Sequence, residues 1–314
     1  MYTMRIKTQH IPLLMLVAAT MISFSPRSDA IIIRHDQNIN NYDALADFSS
    51  FAAAGWLGLD SFGTPKKHCS GTLITSNKVL TAAHCLDGNV DGLFDVGLEN
   101  FQFGFEENLP GNFVGNVTTG VIHPLWNNTA TYDLAILTID TILGITPAQL
   151  YAGNVQGRIG AMVGYGVQGY GTEVPKDIGA DDRLAALNIM DIANHAVIAT
   201  DFDHPDFTTD IWGTNIPHVL EGSTCFGDSG GPLFLFQSPD YPVVGVVHGG
   251  LEPGLIGCGY EGGQATWAPI RNPDNVSFLR AHGVSVPEPQ TILLFLLGLG
   301  MLAITPHIGV HSKR

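Results

Sequence analysis

The stretch Gly227-Asp228-Ser229-Gly230-Gly231-Pro232 sets a serine between glycines. Glycine lets the backbone turn sharply there, so the N–H groups of Gly227 and Ser229 can converge on one oxygen. A serine used as a nucleophile also needs a base to take its proton and a group to orient that base. Upstream, Thr81-Ala82-Ala83-His84-Cys85 places a histidine among small residues, beside a cysteine able to tether it. Tyr132-Asp133-Leu134-Ala135-Ile136-Leu137 opens an apolar strand with a carboxylate. Burying that charge is costly unless it is hydrogen-bonded, and a histidine would satisfy it. The chemistry implied is acyl transfer, with Ser229 as nucleophile, His84 as base, Asp133 as its orienter, and the Gly227 and Ser229 amides as oxyanion donors.

The surrounding chain reads as all-β. Its 314 residues are 45% hydrophobic and only 14% charged, with 37 glycines, which suits many short strands joined by tight turns. Strands are predicted at Lys78–Thr81, Phe101–Phe105, Leu134–Ile139, Ile159–Tyr165, Val243–Val247 and Gln264–Ile270. One helix is predicted, Val276–His282, capped by Asp274 or Asn275 and stopped by Gly283. The four cysteines, Cys69, Cys85, Cys225 and Cys258, are an even number without metal-knuckle spacing, so two disulfides in an oxidising compartment are expected.

TAAHC, DLAIL and GDSGGP in this order resemble the three catalytic blocks of the trypsin/chymotrypsin family of serine proteases. Cys69-Ser70-Gly71-Thr72-Leu73-Ile74 is similar to the family's CGGSLI, and Gly164-Tyr165-Gly166 to its GWG turn. The resemblance spans roughly Ile31 to Val284 and implies two six-stranded antiparallel Greek-key β-barrels, with the active site between them and a short C-terminal helix. It also implies pairing of Cys69 with Cys85 and of Cys225 with Cys258, a protein or peptide substrate, and no required cofactor. An esterase would normally differ in nucleophile motif and chain order. A surface-anchored binding or matrix protein on the same fold would have no need of all three catalytic residues.

The family's specificity pocket has its base six residues before the nucleophile, here Ser223, and walls that correspond to Gly250 and Gly263. With no acid at the base and an open slot, cleavage after large apolar or aromatic residues is expected. The family's Ser-Trp-Gly is replaced by His248-Gly249-Gly250, which removes the aromatic wall; His248 either hydrogen-bonds Asp133 or packs at the strand end. In the family a new N-terminal amine pairs with the aspartate before the nucleophile, here Asp228. Cleavage after Ala30 would expose Ile31-Ile32-Ile33, an aliphatic N-terminus of the required kind.

Residues 1–30 carry Arg5 and Lys7, the apolar run Ile11 to Ile22 and small residues before Ala30, the pattern of a secretory signal peptide. Residues 31–285 form the peptidase-like unit. Residues 286–314 begin Val286-Pro287-Glu288-Pro289, continue through the apolar run Ile292 to Ile304 and end in Lys313-Arg314. They resemble the PEP-CTERM sorting signal of exported bacterial proteins, which implies sorting machinery as a partner, a surface or extracellular location, and membrane contact through this hydrophobic helix alone. The whole chain carries a formal charge of −15, and from Ile31 to Val286 the balance is 9 basic against 27 acidic residues, 9 − 27 = −18. That field repels nucleic acid and anionic lipid. Asp87, Asn89, Asp91, Gly92 and Asp95 are similar to the start of a calcium loop, although position twelve is Leu98 and the acid, Glu99, comes one later. The alternative is a solvated turn rich in Asp and Gly.

Overall fold

The computed structural model describes residues 31–60, 65–105, 114–142, 144–172, 183–206, 212, 218–251, 258 and 261–287. Its first element is a two-residue strand, β1 (Ile32–Ile33), buried along with Ile31. Next comes α1 (Ile39–Ala46), a helix not predicted from the sequence. It has only about two turns, too few for an apolar period to stand out, yet its signals are present. Asn38 caps it by accepting from Asn40 N at 3.0 Å. Tyr42, Leu45 and Ala46, spaced three and four apart, form its buried stripe.

Six strands then close into a barrel in the order β2-β3-β4-β7-β6-β5: β2 (Ala54–Asp60), β3 (Pro65–Leu73), β4 (Lys78–Thr81), β5 (Phe101–Gly104), β6 (Val114–Ile122) and β7 (Ala135–Ile139). Every pairing is antiparallel, and closure leaves no free edge. Leu57, Val79, Phe101, Phe103 and Leu137 fill the interior, all nearly or fully excluded from solvent.

The second half contains β8 (Ile159–Gly164), β9 (Gly169–Tyr170), β10 (Leu184–Ile189), β11 (Ile192–Ala193), β12 (Ile198–Asp201), β13 (Gly222–Ser223), β14 (Pro232–Leu235), β15 (Val243–Leu251) and β16 (Gln264–Pro269). Seven of them make an antiparallel sheet in the order β10-β8-β14-β15-β16-β12-β11, one more strand than expected because of the short β11. The sheet curls on itself. Asn188 on β10 donates through Nδ2 to Asp201 O on β12 at 2.5 Å and to Gly222 O at 3.2 Å. In a separate small sheet, β1 lies between β13, antiparallel, and β9, parallel. The expected all-β, double-barrel architecture is thus present, with α2 (Pro273–Ala281) after the last strand.

That last helix begins three residues earlier than predicted. Pro273 occupies the first turn, where its missing N–H costs nothing. Asn272, rather than Asp274 or Asn275, is the cap, accepting from Asp274 N at 2.8 Å and Asn275 N at 3.3 Å. Gly283, at φ +75°, follows the C-terminal end as predicted. Asn272 also donates to His195 O at 2.7 Å, so Asn272→Ala should destabilise the protein by about 1–2 kcal/mol, read as a lowered urea midpoint at unchanged slope.

The packed chain runs through Val286, whose carbonyl accepts from Arg280 Nη2 at 2.6 Å. The signal-peptide segment 1–30 and nearly all of the C-terminal sorting segment lie outside the described residues. Among the described residues, no helix is long and apolar enough to cross a membrane.

Candidate active site

Antiparallel register explains how His84 and Asp133 meet. Thr81 on β4 faces Ala135 on β7, so the chain leaving one strand and the chain entering the other share one end of the barrel. His84 lies in the single 3-10 turn Ala83–Cys85, and a disulfide from Cys85 to Cys69 on β3 fastens that turn. Asp133 ends the turn Ala130–Tyr132 and is fully buried. Its Oδ1 accepts from His84 N at 2.9 Å, and its Oδ2 lies 2.6 Å from His84 Nδ1.

A second histidine reaches the same oxygen. The pairing of β15 with β16 shifts register between Val247 and Gly249. The irregularity falls on His248, the kind of local break that re-aims a side chain. His248 Nδ1 lies 2.5 Å from Asp133 Oδ2, and its ring stands edge-on to that of His84. Burial alone would push the Asp133 carboxyl up, but the bonds from His248 and then His84 outweigh it and hold the group below its ordinary range.

The loop carrying Ser229 folds back on itself. Asp228 N donates to Cys225 O at 3.1 Å, Gly231 N to Asp228 O at 2.9 Å, and Gly230 N to Val247 O at 2.9 Å. Ser70, which the sequence showed only as part of a block, clamps this loop from the first barrel. Its N–H donates to Ser229 O at 2.8 Å and its hydroxyl to Gly227 O at 2.9 Å. The latter contact joins residues 157 apart, so no local pattern reveals it. Among the described residues, neither the Gly227 nor the Ser229 N–H donates to a protein acceptor, which leaves both available to an external oxygen. Ser229 Oγ makes no hydrogen bond to His84 among those residues. Both residues instead abut Cys85 Sγ, which lies 4.0 Å from His84 Nε2 and 3.6 Å from Ser229 O.

Asp228 is fully enclosed, and burial pushes its carboxyl up to about 7 against the pull of its backbone donors. Those donors are Cys225 N and Gly166 N, each at 2.8 Å, and Ile31 N at 3.2 Å. The Gly164-Tyr165-Gly166 turn has to be glycine at both ends for this approach. A Cβ on Gly164 would lie 2.1 Å from Asp228 Oδ1, and one on Gly166 would lie 2.5 Å from Asp228 N.

Ser223, the residue assigned to the base of the pocket, is buried on β13 opposite Ile32, and its hydroxyl has no hydrogen-bond partner among the described residues. Gly250 is exposed on β15 opposite Ala265. Gly263 is buried, and its carbonyl accepts from Phe202 N at 2.9 Å. Next to Gly227, Phe226 is 63% exposed. The second disulfide joins Cys225 to Cys258. In the suggested calcium loop the side chains accept from the loop's own backbone. Asp87 accepts from Asp91 N and Gly92 N, Asn89 from Asp91 N, Asp91 from Leu93 N, and Asp95 from Gly88 N.

A family model described as Trypsin matches residues 49–261. Similar curated proteins include the serine protease filzig of Drosophila melanogaster, 29% identical, with the match covering 63% of this chain and 12% of that protein. Chymotrypsin-like elastase family member 1 of Felis catus is 29% identical over 57% of this chain and 66% of its own length. Trypsin zeta of Drosophila melanogaster is 27% identical over 56% and 64%. The chain therefore spans less than two thirds of each of these three relatives. The solved structure of neuropsin, a serine protease expressed in the limbic system of mouse brain, superposes with a TM-score of 0.54 at 16% identity, covering 74% of this chain and 95% of that one. At that identity the likeness concerns the fold.

Proposed function

The chain belongs to the trypsin family, and on that footing we propose that it is an exported serine endopeptidase acting through Ser229, His84 and Asp133. The observation that carries this reading is the buried Asp133 carboxylate gripping both the backbone N–H and the Nδ1 of His84. That double hold leaves Nε2 of His84 as the nitrogen free to work as a base.

In the proposed reaction His84 Nε2 takes the Ser229 proton as Oγ attacks the scissile carbonyl. The Gly227 and Ser229 amides receive the oxyanion, and the imidazolium, stabilised by Asp133, returns the proton to the leaving amine. Water then hydrolyses the acyl-enzyme by the same steps. No cofactor enters, and calcium at Asp87, Asn89, Asp91 and Asp95 is no part of the reaction. Ser223 offers no charge for a basic side chain, and the glycines Gly250 and Gly263 leave room, so the preferred residue before the cut is large and apolar or aromatic.

Export follows from residues 1–30. Their removal at Ala30 would release the amine of Ile31 to pair with Asp228, so that export itself activates the enzyme. The C-terminal segment would direct the protein to sorting machinery at the cell surface.

The test is hydrolysis of a mixed peptide library by the purified protein, with and without a serine-directed phosphonylating reagent. Cleavage that the reagent abolishes, located after Phe, Tyr, Leu or Met, is the expected result. Cleavage indifferent to the reagent would overturn the mechanism, and cuts confined to Lys and Arg would overturn the pocket assignment.

A further inference from the structure

We propose that His35, His204 and Glu261 form a binding site for a divalent d-block cation, zinc in the first instance, remote in sequence from Ser229 and from the suggested calcium loop. One ligand atom from each of the three residues lies within 4.8 Å of the other two. Two imidazoles and one carboxylate are a common zinc donor set. Glu261 Oε1 lies 2.8 Å from His35 Nδ1, and Glu261 Oε2 lies 3.3 Å from His204 Nε2. Donors bound tetrahedrally at zinc distances stand about 3.3 Å apart, the separation already present between Glu261 Oε2 and His204 Nε2, and the His35 side chain would adjust to complete the set. The two rings face each other across the carboxylate with centroids 5.2 Å apart.

Two further observations point to an ion rather than to a pair of surface salt bridges. The Glu261 side chain is only 2% exposed, and its Oε2, shut away from solvent, accepts no hydrogen bond among the described residues, although His204 Nε2 stands 3.3 Å away. A buried carboxylate oxygen in that condition is costly, and a cation would satisfy it. The other nitrogen of His204, Nδ1, is bonded to the Asp206 carboxylate. A carboxylate behind a histidine, fixing its tautomer and orientation, is the usual second contact of a metal-binding imidazole. His35, at 35% side-chain exposure, leaves the fourth position open to water.

The site would act as a clamp. His35 lies two residues beyond β1. Glu261 N donates to Gly171 O, and Gly171 N donates to Ile33 O, both at 3.0 Å. Phe202, two residues before His204, exchanges backbone hydrogen bonds with Gly262 and Gly263. A bound ion therefore ties the inserted N-terminal segment to the glycine strip assigned to the pocket wall. Metal binding itself does not rest on the proposed proteolysis.

Calorimetric titration of the purified protein with zinc chloride should show a site whose affinity falls at least ~10-fold in His35→Ala and in His204→Ala. His195→Ala, a surface change elsewhere, should bind as the parent does. At about a hundredfold excess of zinc over Kd the melting temperature should rise by roughly 5–10 °C, and the two site variants should lose that rise. Cobalt(II) added to the unaltered protein should give the visible absorption of a four-coordinate site, which reads the proposal even if a variant fails to fold. Absence of both zinc binding and the cobalt spectrum overturns the proposal. Zinc bound equally well by the variants while inhibiting hydrolysis overturns it too, and would place the ion at His84, Asp133 and His248.

Discussion

Asp133→Asn should lower kcat by about 10⁴-fold while leaving KM within a few-fold of its starting value, the size of loss that removing this charge causes in the family's template triad. The geometry here makes the reason specific. Asp133 accepts three hydrogen bonds on two oxygens: His84 N on Oδ1, and the Nδ1 atoms of both His84 and His248 on Oδ2. Asparagine has the right volume but only one acceptor atom. With its oxygen toward His84 N, its NH₂ faces both imidazoles and forces their protons to the far nitrogens. His84 Nε2 then carries a proton and cannot accept another from Ser229. With the amide turned over, NH₂ meets the His84 N–H, donor against donor, in a site closed to water. The turned-over amide would restore the working tautomer only at the cost of that clash, so the orientation that blocks Nε2 is the favoured one. Steady-state hydrolysis of a peptide substrate measures the effect, and a loss below tenfold would show that Asp133 does not orient the base. Ser229→Ala combined with Asp133→Asn should be scarcely worse than the serine change alone, because residues acting as one unit do not add.

The three blocks around His84, Asp133 and Ser229 were legible because each needs a particular local sequence: a small-residue turn, a carboxylate opening an apolar strand, and glycines around a sharp bend. Strands such as Lys78–Thr81 were found at their observed bounds because a short apolar pair, Val79-Leu80, set between polar residues leaves its mark within four residues. The helix at Ile39–Ala46 was too short to mark the chain in that way. Asn272 was passed over as a cap because Pro273 disguises a helix start as a loop. What stayed hidden is non-local. Ser70 acquires its role only when the first barrel meets the nucleophile loop. His35 and Glu261 stand 226 residues apart, so no spacing rule joins them. His248 lay between the two: its replacement of the family's serine was visible, whereas the register shift that aims it became visible only in the pairing of β15 with β16.

A chain whose Ala30–Ile31 bond stays intact should be at least about 10²–10³-fold less active than one that begins at Ile31, the loss associated with removing an oxyanion donor. The argument starts from Asp228, which is completely buried and whose carboxyl is raised from an ordinary 3.8 to about 7. A folded-state value above the unfolded one means that stability falls as pH climbs from about 4 to about 7, by roughly 4 kcal/mol in all. In the intact chain the donors facing this carboxylate, among the described residues, are all backbone amide N–H groups. Ile31 moreover sits at φ +60°, a left-handed conformation that a β-branched residue adopts only under strain. That torsion involves the carbonyl of the preceding residue, so cutting the bond removes both the constraint and the amide, and replaces the amide with an ammonium about 3 Å from Asp228 Oδ2. The new pair lowers the carboxyl and raises the amine above its ordinary value near 8. Its contribution is therefore present at neutral pH and is lost as pH rises through the raised amine value. Activity of the cleaved form should accordingly fall at alkaline pH, and acetylation of the Ile31 amine should abolish it at every pH. N-terminal sequencing of the active protein beside these rates provides the measurement. Full activity in a chain with any other first residue, or in the acetylated form, would show that Asp228 is satisfied by its backbone donors alone and that export does not switch the enzyme on.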